Sequence, residues 1–488
     1  MVLTRGEFLK VAGGSLAGLL ASGARGATPA AASTAPSSQS FHSRPDLRPP
    51  ALSFRYASGA PPPVSEGYMF VGPTSKPGAQ AGALIVDTNG QPVWFHPVTP
   101  GSWVSNFGVQ DYQGKPALAW WEGEVKPPGY GEGQGVILDS SYREIAVVRA
   151  ARGRQADLHE LRLTPDGTAL ITCHPQTVQA NLSSVGGPSN GQVLEPVIQE
   201  IDVATGTLLF EWRGLEHVAI EESYLPFGGP YDYLHVNSID LTPDGHLLLS
   251  GRHTCALYKV HRRTGRVLWR LGGRRSSFNV GRRARFHWQH DARHLPGDVI
   301  TVFDNGAGPV QSERQSRGLV LELDLVSNSV HLIRAYRHPI PVLSSAMGNV
   351  QVLPDGNVMV GYGLVPLLSE YAPDGQLLGQ LLLPWGYDCY RGFRMPWNGA
   401  PTDQPAIASS AGPASGTTTI YASWNGATGV ASWLLSAGPS ASELQPVGTA
   451  PRSAFETAIP LAASQAYAAV SALDANGDTL GTSQPIAL

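Results

Sequence analysis

A hydrophobic run that stops at a turn of proline, aspartate and glycine, then resumes as a second hydrophobic run, recurs along the middle of this chain. Leu163-Thr164-Pro165-Asp166-Gly167 leads into TALIT, and Leu241-Thr242-Pro243-Asp244-Gly245 leads into HLLLS. Leu295-Pro296-Gly297-Asp298 leads into VITVF, and Leu353-Pro354-Asp355-Gly356 into NVMVGY. Asp-Gly pairs supply the positive φ that a tight hairpin needs, and the Val, Ile, Leu and aromatic residues around them suit strands. A further strand pair follows each turn, at 201–212, 260–271, 321–333 and 369–383. Two looser copies precede them, YMFVGP with 83–95 and 116–124 with 135–148, which brings the units to six. A unit of about four strands cannot bury both faces alone, whereas such units set radially can. The repeat predicts an all-β fold: a six-bladed β-propeller over 60–402, with an array of sandwiches as the competing arrangement. The 56 Gly and 40 Pro against only 15% charged residues agree with many short strands joined by turns.

From about Asp403 the character changes. Residues 401–488 hold six charged residues, no His and no Cys, and stretches such as TTTIYASWNG and VASWLLSAG alternate in polarity. This pattern predicts a C-terminal β-sandwich of the fibronectin or immunoglobulin type over 403–488, with Trp424 and Trp433 in its core. With so few reactive side chains, that domain is expected to carry no chemistry.

At the other end, residues 1–27 combine a charged start (Arg5, Glu7, Lys10) with an apolar run from Val11 to about Ser22 and small residues after it. That is the layout of a signal peptide, too short to span a bilayer, and it predicts a secreted or cell-surface protein. The stretch from Thr4 to Lys10 is similar to a twin-arginine export motif, with Gly6 where the second arginine belongs. Residues 28–59 read as a disordered Ala/Ser/Pro-rich linker. A net charge of −4 offers no footprint for nucleic acid, and no other stretch approaches membrane-spanning length.

Ten of the 14 His fall between His159 and His294. Six residues before the four turn prolines stand His159, Asn237, His290 and Gly348. Equivalent positions of equivalent strands lie at one depth on a propeller axis, so His159, Asn237 and His290 should converge. His235 shares a strand face with Asn237, and Arg252 ends the next strand of the same unit. Three imidazoles, an amide and a guanidinium around one pocket suit a tetrahedral oxyanion. Three His could also hold zinc, but no carboxylate falls in register with them and an Arg beside a metal is unfavourable; no metal or cofactor is expected.

DLHELRLTPDGTALIT, LHVNSIDLTPDGHLLLSGRH and WQHDARHLPGDVITVFDNG resemble motifs of the aryl sulfate sulfotransferases, exported propeller enzymes that do not use 3′-phosphoadenylyl sulfate. YQGKPALAWWEGE and GVILDSSY resemble the broader arylsulfotransferase-like group, and the likeness runs from about residue 65 to 400. The resemblance implies that His290 of QHDAR takes the sulfuryl group, that His235, Asn237 and Arg252 bind sulfate, and that His159 of DLHE serves the phenolic oxygen. The substrates it implies are a small aryl sulfate and a phenol. Neutral imidazole is a good nucleophile near pH 7, and phenolate leaves poorly unless protonated, so His159 would act as acid and then as base. Gly348-Asn349 stands near where the characterised enzymes have a hydroxyl residue. The competing reading is a non-catalytic cell-surface propeller that binds glycan or protein; a lyase or hydrolase is the third.

Other features are read more plainly. Arg274, Arg275, Arg282, Arg283 and Arg285 form a solvated loop, with steering of an anionic sulfate as the alternative. Asp304-Asn305-Gly306 reads as a plain turn, with a turn toward the channel as the alternative, and Trp120-Trp121 as blade core, with an aryl platform as the alternative. Cys173, Cys255 and Cys389 read as buried thiols, with room for a single 173–255 bridge.

Overall fold

The structure is a computed structural model that describes residues 38–57, 64–74, 80–384, 387–462 and 465–488. The stretch read as a signal peptide, 1–27, lies outside the described residues. The fold is all-β and propeller-like, and helix among the described residues is confined to three-residue 3-10 turns.

The recurring turns close hairpins as their residues dictate. Gly167 and Gly245 sit at φ 74° and 77°, where L side chains are strained, and donate back to Thr164 O and Thr242 O. The flanking strands then pair from the turn outward, Leu163 with Ala169 and Leu241 with Leu247. Leu295 pairs with Val299 and Val352 with Val358 in the same way.

Sheets follow one another along the chain. Tyr68–Thr74, Gly82–Val86 and Pro92–Pro97 form a four-stranded sheet whose remaining strand, Asp388–Met395, comes from far along the chain. An eight-stranded sheet comprises two successive sets, which begin at Trp103–Tyr112 and Ala156–Leu163 and meet through the Gly133–Ala156 bridge. Three more sheets begin at Val236–Leu241, His290–Leu295 and Asn349–Val352. The first strand of each set touches the next, and Asp388–Met395 touches both Asn349–Val352 and Trp103–Tyr112, so a ring closes. Neighbouring ring strands are not paired as a sheet, and polar side chains satisfy the backbone between them. Ser105 Oγ donates to Leu158 O (2.5 Å), Ser238 Oγ accepts from Ala292 N (3.0 Å), and the Asn349 amide exchanges two bonds with Gly392.

Two further sheets lie C-terminal. Ala406–Ala411, Thr418–Ser423 and Glu456–Leu461 make one, and Ser432–Gly438, Gln445–Pro451, Tyr467–Leu473, Thr479–Thr482 and Ile486–Ala487 the other. Both contribute to a separate core in which Trp424 and Trp433 are buried with Ile420, Leu435, Ile459 and Val470. This unit is hydrogen-bonded to the ring sheets through Gly426 N to Val93 O (2.8 Å) and Asn425 to both backbone groups of Phe95.

One expectation is corrected here. Residues 38–57, read as part of a disordered linker, form structure: Ser53–Tyr56 adds an edge strand to Leu377–Leu382, and Leu47 and Leu52 are buried in a core with Leu381 and Phe455. The apolar anchors are spread thinly among prolines, so composition hid them, yet each is buried in the shared core. Trp120 and Trp121 are fully buried, as read, and the three cysteines are separate buried thiols with no 173–255 bridge.

Candidate active site

His159 lies within Ala156–Leu163, Asn237 within Val236–Leu241, and His290 opens His290–Leu295; all three are buried. The ladder slips by a residue next to Asn237 and again after His290. His235, at φ 52°, and Asp291, at φ 53°, take the left-handed conformation at these slips, which turns the side chains around them toward the axis. Arg252 follows the strand Leu247–Gly251, and its N–H donates to His235 O (3.0 Å), so the hairpin delivers the guanidinium to the imidazole.

The structure brings His159 and His235 into ring contact, with centroids 4.7 Å apart and edges to faces. Tyr130 packs against both, at 5.4 and 4.9 Å, and His253 lies 4.8 Å beyond His235. Carboxylates position these rings although none stands in the sequence register. Asp157 Oδ2 is 2.5 Å from His159 Nδ1, and Asp232 Oδ2 is 2.6 Å from His235 Nδ1 while its Oδ1 accepts from Tyr130 OH (2.7 Å). Arg252 Nη1 donates to His253 Nε2 (2.7 Å) and Nη2 to Ser345 O (2.9 Å), and its guanidinium stands 5.8 Å over the Trp288 ring. Its Nε is buried with no hydrogen-bond partner, a spare donor in a buried pocket.

Electrostatics fix the protonation pattern. Burial, reinforced by the charge of Arg252 and neighbouring imidazoles, holds His235 and His290 well below the usual histidine range. Burial likewise takes His253 down to about 3. These three rings are therefore neutral at pH 7. Burial works to raise Asp157, but the His159 ring and backbone N–H groups outweigh it, and the carboxyl falls below its ordinary value. Asp232 goes the other way because burial prevails over its cationic and hydroxyl neighbours.

His290 is held by Asn305, so the Asp304-Asn305-Gly306 turn does face the site. Asn305 Nδ2 donates to Ser344 O and Met347 O, both at 3.0 Å, so its Oδ1 must face His290 Nδ1, at 2.7 Å. An amide oxygen only accepts, so Nδ1 carries the proton and Nε2 keeps the lone pair. The Met347 N–H, at 3.2 Å, points at that nitrogen. A neutral imidazole whose unprotonated Nε2 faces a guanidinium's field can serve as a nucleophile once an incoming sulfur displaces the Met347 contact.

Asn237 departs from its expected role. Its side-chain amide donates to Gln289 O (2.7 Å) and its backbone carbonyl accepts from Arg391 Nη2 (2.8 Å), so it ties strands together with no exposed surface. Gly348 and Asn349 are also spent on backbone bonds, to Tyr390 and Gly392. Among the arginines of the 274–285 loop, Arg274 stacks on Tyr224 (4.3 Å) and Arg275 pairs with Glu222, while Arg282, Arg283 and Arg285 are exposed.

Asp232, His235 and His253 place ligand-type atoms within 4.8 Å of one another. They do not fit a metal: one His253 nitrogen faces Asp232 O, the other faces Arg252, and a guanidinium that close repels a cation. A cavity of about 240 Å³ is lined by later residues of the same ring strands, among them Gln110, Arg162, Asp240 and His294, and by Glu160, Asp291 and Arg391, and by none of the site imidazoles.

A model of the family described as arylsulfotransferase (ASST) matches residues 108–381. No curated protein matches the sequence. Among solved structures, a protein of unknown function from Bacteroides caccae is 14% identical over 67% of this chain and 98% of its own, with a TM-score of 0.41. A periplasmic gluconolactonase of Pseudomonas aeruginosa is 13% identical over 68% of this chain and 99% of its own, with a TM-score of 0.39. A catalytically inactive virginiamycin B lyase from Staphylococcus aureus is 9% identical over 77% and 96%, with a TM-score of 0.35.

Proposed function

This chain belongs to the arylsulfotransferase (ASST) family, and from that membership we propose that it moves a sulfuryl group from an aryl sulfate to a phenol through a sulfated His290. The observation that carries this reading is the single tautomer of His290, whose unprotonated Nε2 accepts only from a backbone N–H, that of Met347, close enough to Arg252, His235 and His159 to feel their charge.

In the first half-reaction the Nε2 lone pair of His290 attacks sulfur, the sulfur–oxygen bond to the aryl group breaks, and its electron pair leaves on the phenolic oxygen. His159, oriented through Nδ1 by Asp157, supplies the proton from Nε2. The His290 ring keeps its Nδ1 proton on Asn305, so the sulfated ring is cationic and departs readily. In the second half-reaction His159 takes the proton of an acceptor phenol, the phenolic oxygen attacks sulfur, and the nitrogen–sulfur pair returns to Nε2. Arg252 and His235 hold the sulfuryl oxygens; such preorganised donors contribute about 3–4 kcal/mol each in comparable sites. His235 must gain a proton to donate, and the arriving anion favours that by opposing the burial that keeps it neutral. The residues named draw on no nucleotide or metal.

We read the ring of sheets as six blades over 60–402 and the two C-terminal sheets as a fibronectin- or immunoglobulin-like sandwich. The protein is exported on this reading, with 1–27 as its signal.

Intact mass after mixing with an aryl sulfate, without acceptor, tests the mechanism. One added sulfuryl group, mapped to His290 and lost on adding phenol, is expected, and His290→Ala should take none. An adduct elsewhere, or full transfer by His290→Ala, would sink the assignment; no adduct in the wild type would favour a binding module. The same mass, measured on protein recovered from outside the producing cells, reads whether 1–27 has been removed.

A further inference from the structure

Next to the histidines in sequence lies a buried network of carboxyl and guanidinium side chains, and one of them reaches the strands that carry His159, Asn237 and His290. Arg391 belongs to Asp388–Met395, the late strand that joins the first sheet, and it is 2% exposed. Its Nη1 donates to Glu160 Oε1 (3.0 Å) and to Asn106 Oδ1, its Nη2 donates to Asn237 O (2.8 Å), and its Nε lies 3.0 Å from Asp291 Oδ1. Glu160 directly follows His159 and Asp291 directly follows His290. Arg293 completes the set, with Nη2 2.7 Å from both Glu160 Oε2 and Asp291 Oδ1.

Two features show that this geometry is imposed. Asp291 holds a left-handed φ of 53°, which a residue with a Cβ rarely adopts, and it is held there by Arg391, Arg293 and the Val350 N–H. Tyr390, beside Arg391, stands 5.8 Å from the His159 ring and donates to Asn237 O (3.3 Å), so the same strand also braces that imidazole. The planar fork suits a group that must fix several acceptors at set angles; an ammonium reaches fewer.

We propose that Arg391 is a positioning residue for sulfuryl transfer: by clamping the residues next to His159 and His290, it sets the distance between acid and nucleophile. On this reading it acts through those neighbours and is not itself a sulfuryl ligand. Because it sits on the strand that pairs with Tyr68–Thr74, closure of the ring and assembly of the site become one event. This inference rests on the transfer reading given above.

The test compares Arg391→Met and Arg391→Lys with the wild type on phenyl sulfate and 4-nitrophenyl sulfate. Displacement of about an ångström can cost about a hundredfold in rate, so Arg391→Met should lower kcat on phenyl sulfate by about that factor. On 4-nitrophenyl sulfate the loss should be only about tenfold, because a good leaving group does not need the proton of His159. KM should hardly change, since Arg252 and His235 are untouched, and Arg391→Lys should recover part of the loss. Arg394→Lys, on the same strand but paired with Glu370 away from the histidines, is the control: it should lower the melting temperature and leave the ratio between the two esters alone. Equal losses on both esters, or a change confined to KM, would overturn the proposal. If Arg391→Met does not fold, Arg391→Lys carries the comparison. If the wild type transfers nothing, the functional reading fails, and the ring nitrogen NMR shifts of His159 and His290 in substrate-free Arg391→Lys decide: moved signals uphold the positioning role, unmoved signals refute it.

Discussion

Asn305 shows what a single side chain decides. Its amide is oriented by two carbonyls, so it dictates which nitrogen of His290 bears the proton, and with that which nitrogen can attack. Asn305→Ala should slow formation of the sulfated adduct by about tenfold to a hundredfold, the 1–3 kcal/mol of a lost buried hydrogen bond. Rapid-quench labelling with an aryl sulfate would measure it. Asn305→Asp should not rescue, because a carboxylate oxygen would face the carbonyls of Ser344 and Met347; an unchanged labelling rate in either variant would remove Asn305 from the mechanism. Sequence spacing pointed to His159, Asn237 and His290, whose positions repeat from one unit to the next, and to His235 through its strand face shared with Asn237. It missed Asp157, Asp232 and Asn305 as partners because a hydrogen bond between side chains depends on where two turns end up in space, and no period records that.

Elements matter here by how they are closed. Four ring strands run into turns that the sequence announces, but Asp388–Met395 and Ser53–Tyr56 join sheets whose other strands lie far away in the chain. The segment 38–57 runs from the ring to the C-terminal unit: Leu47 and Leu52 enter the ring core, Phe41 meets Phe455 (4.3 Å), and Glu456 accepts from the backbone N–H groups of His42 and Ser43. Leu47 is 2% exposed, so Leu47→Ala should destabilise by about 2–5 kcal/mol, as truncations of buried leucine do. Chemical denaturation would show it, and a loss under about 1 kcal/mol would mean that the strap merely lies on the surface.

At the scale of the whole molecule, the histidines, their partners and Arg252 lie between Tyr130 and Met347, within the segment that the family model matches, while Tyr390 and Arg391 lie just beyond it. The C-terminal unit has its own core and meets the ring sheets through Gly426, Asn425 and Phe455. Deleting 403–488 should therefore leave a folded chain that still forms the sulfated adduct but melts at a lower temperature. Calorimetry and adduct mass on the truncated protein check this; a folded truncation that takes no sulfuryl group would place part of the site in the deleted unit.

What the sequence alone determined was whatever is local or periodic: strands from their alternation, turns from Asp-Gly pairs, and the recurrence of His159, Asn237 and His290 at one offset from the turn prolines. What the tertiary structure decided is what depends on closure. It turned Asn237 from an expected sulfate ligand into a tie between strands, drew residues 38–57 into the core, and set Arg391 among four strands from across the chain. The physical reason is the same in each case. A hairpin is specified by the few residues that form it, whereas a buried amide or guanidinium takes its role from whichever unpaired donors and acceptors the closed ring brings within about 3 Å of it.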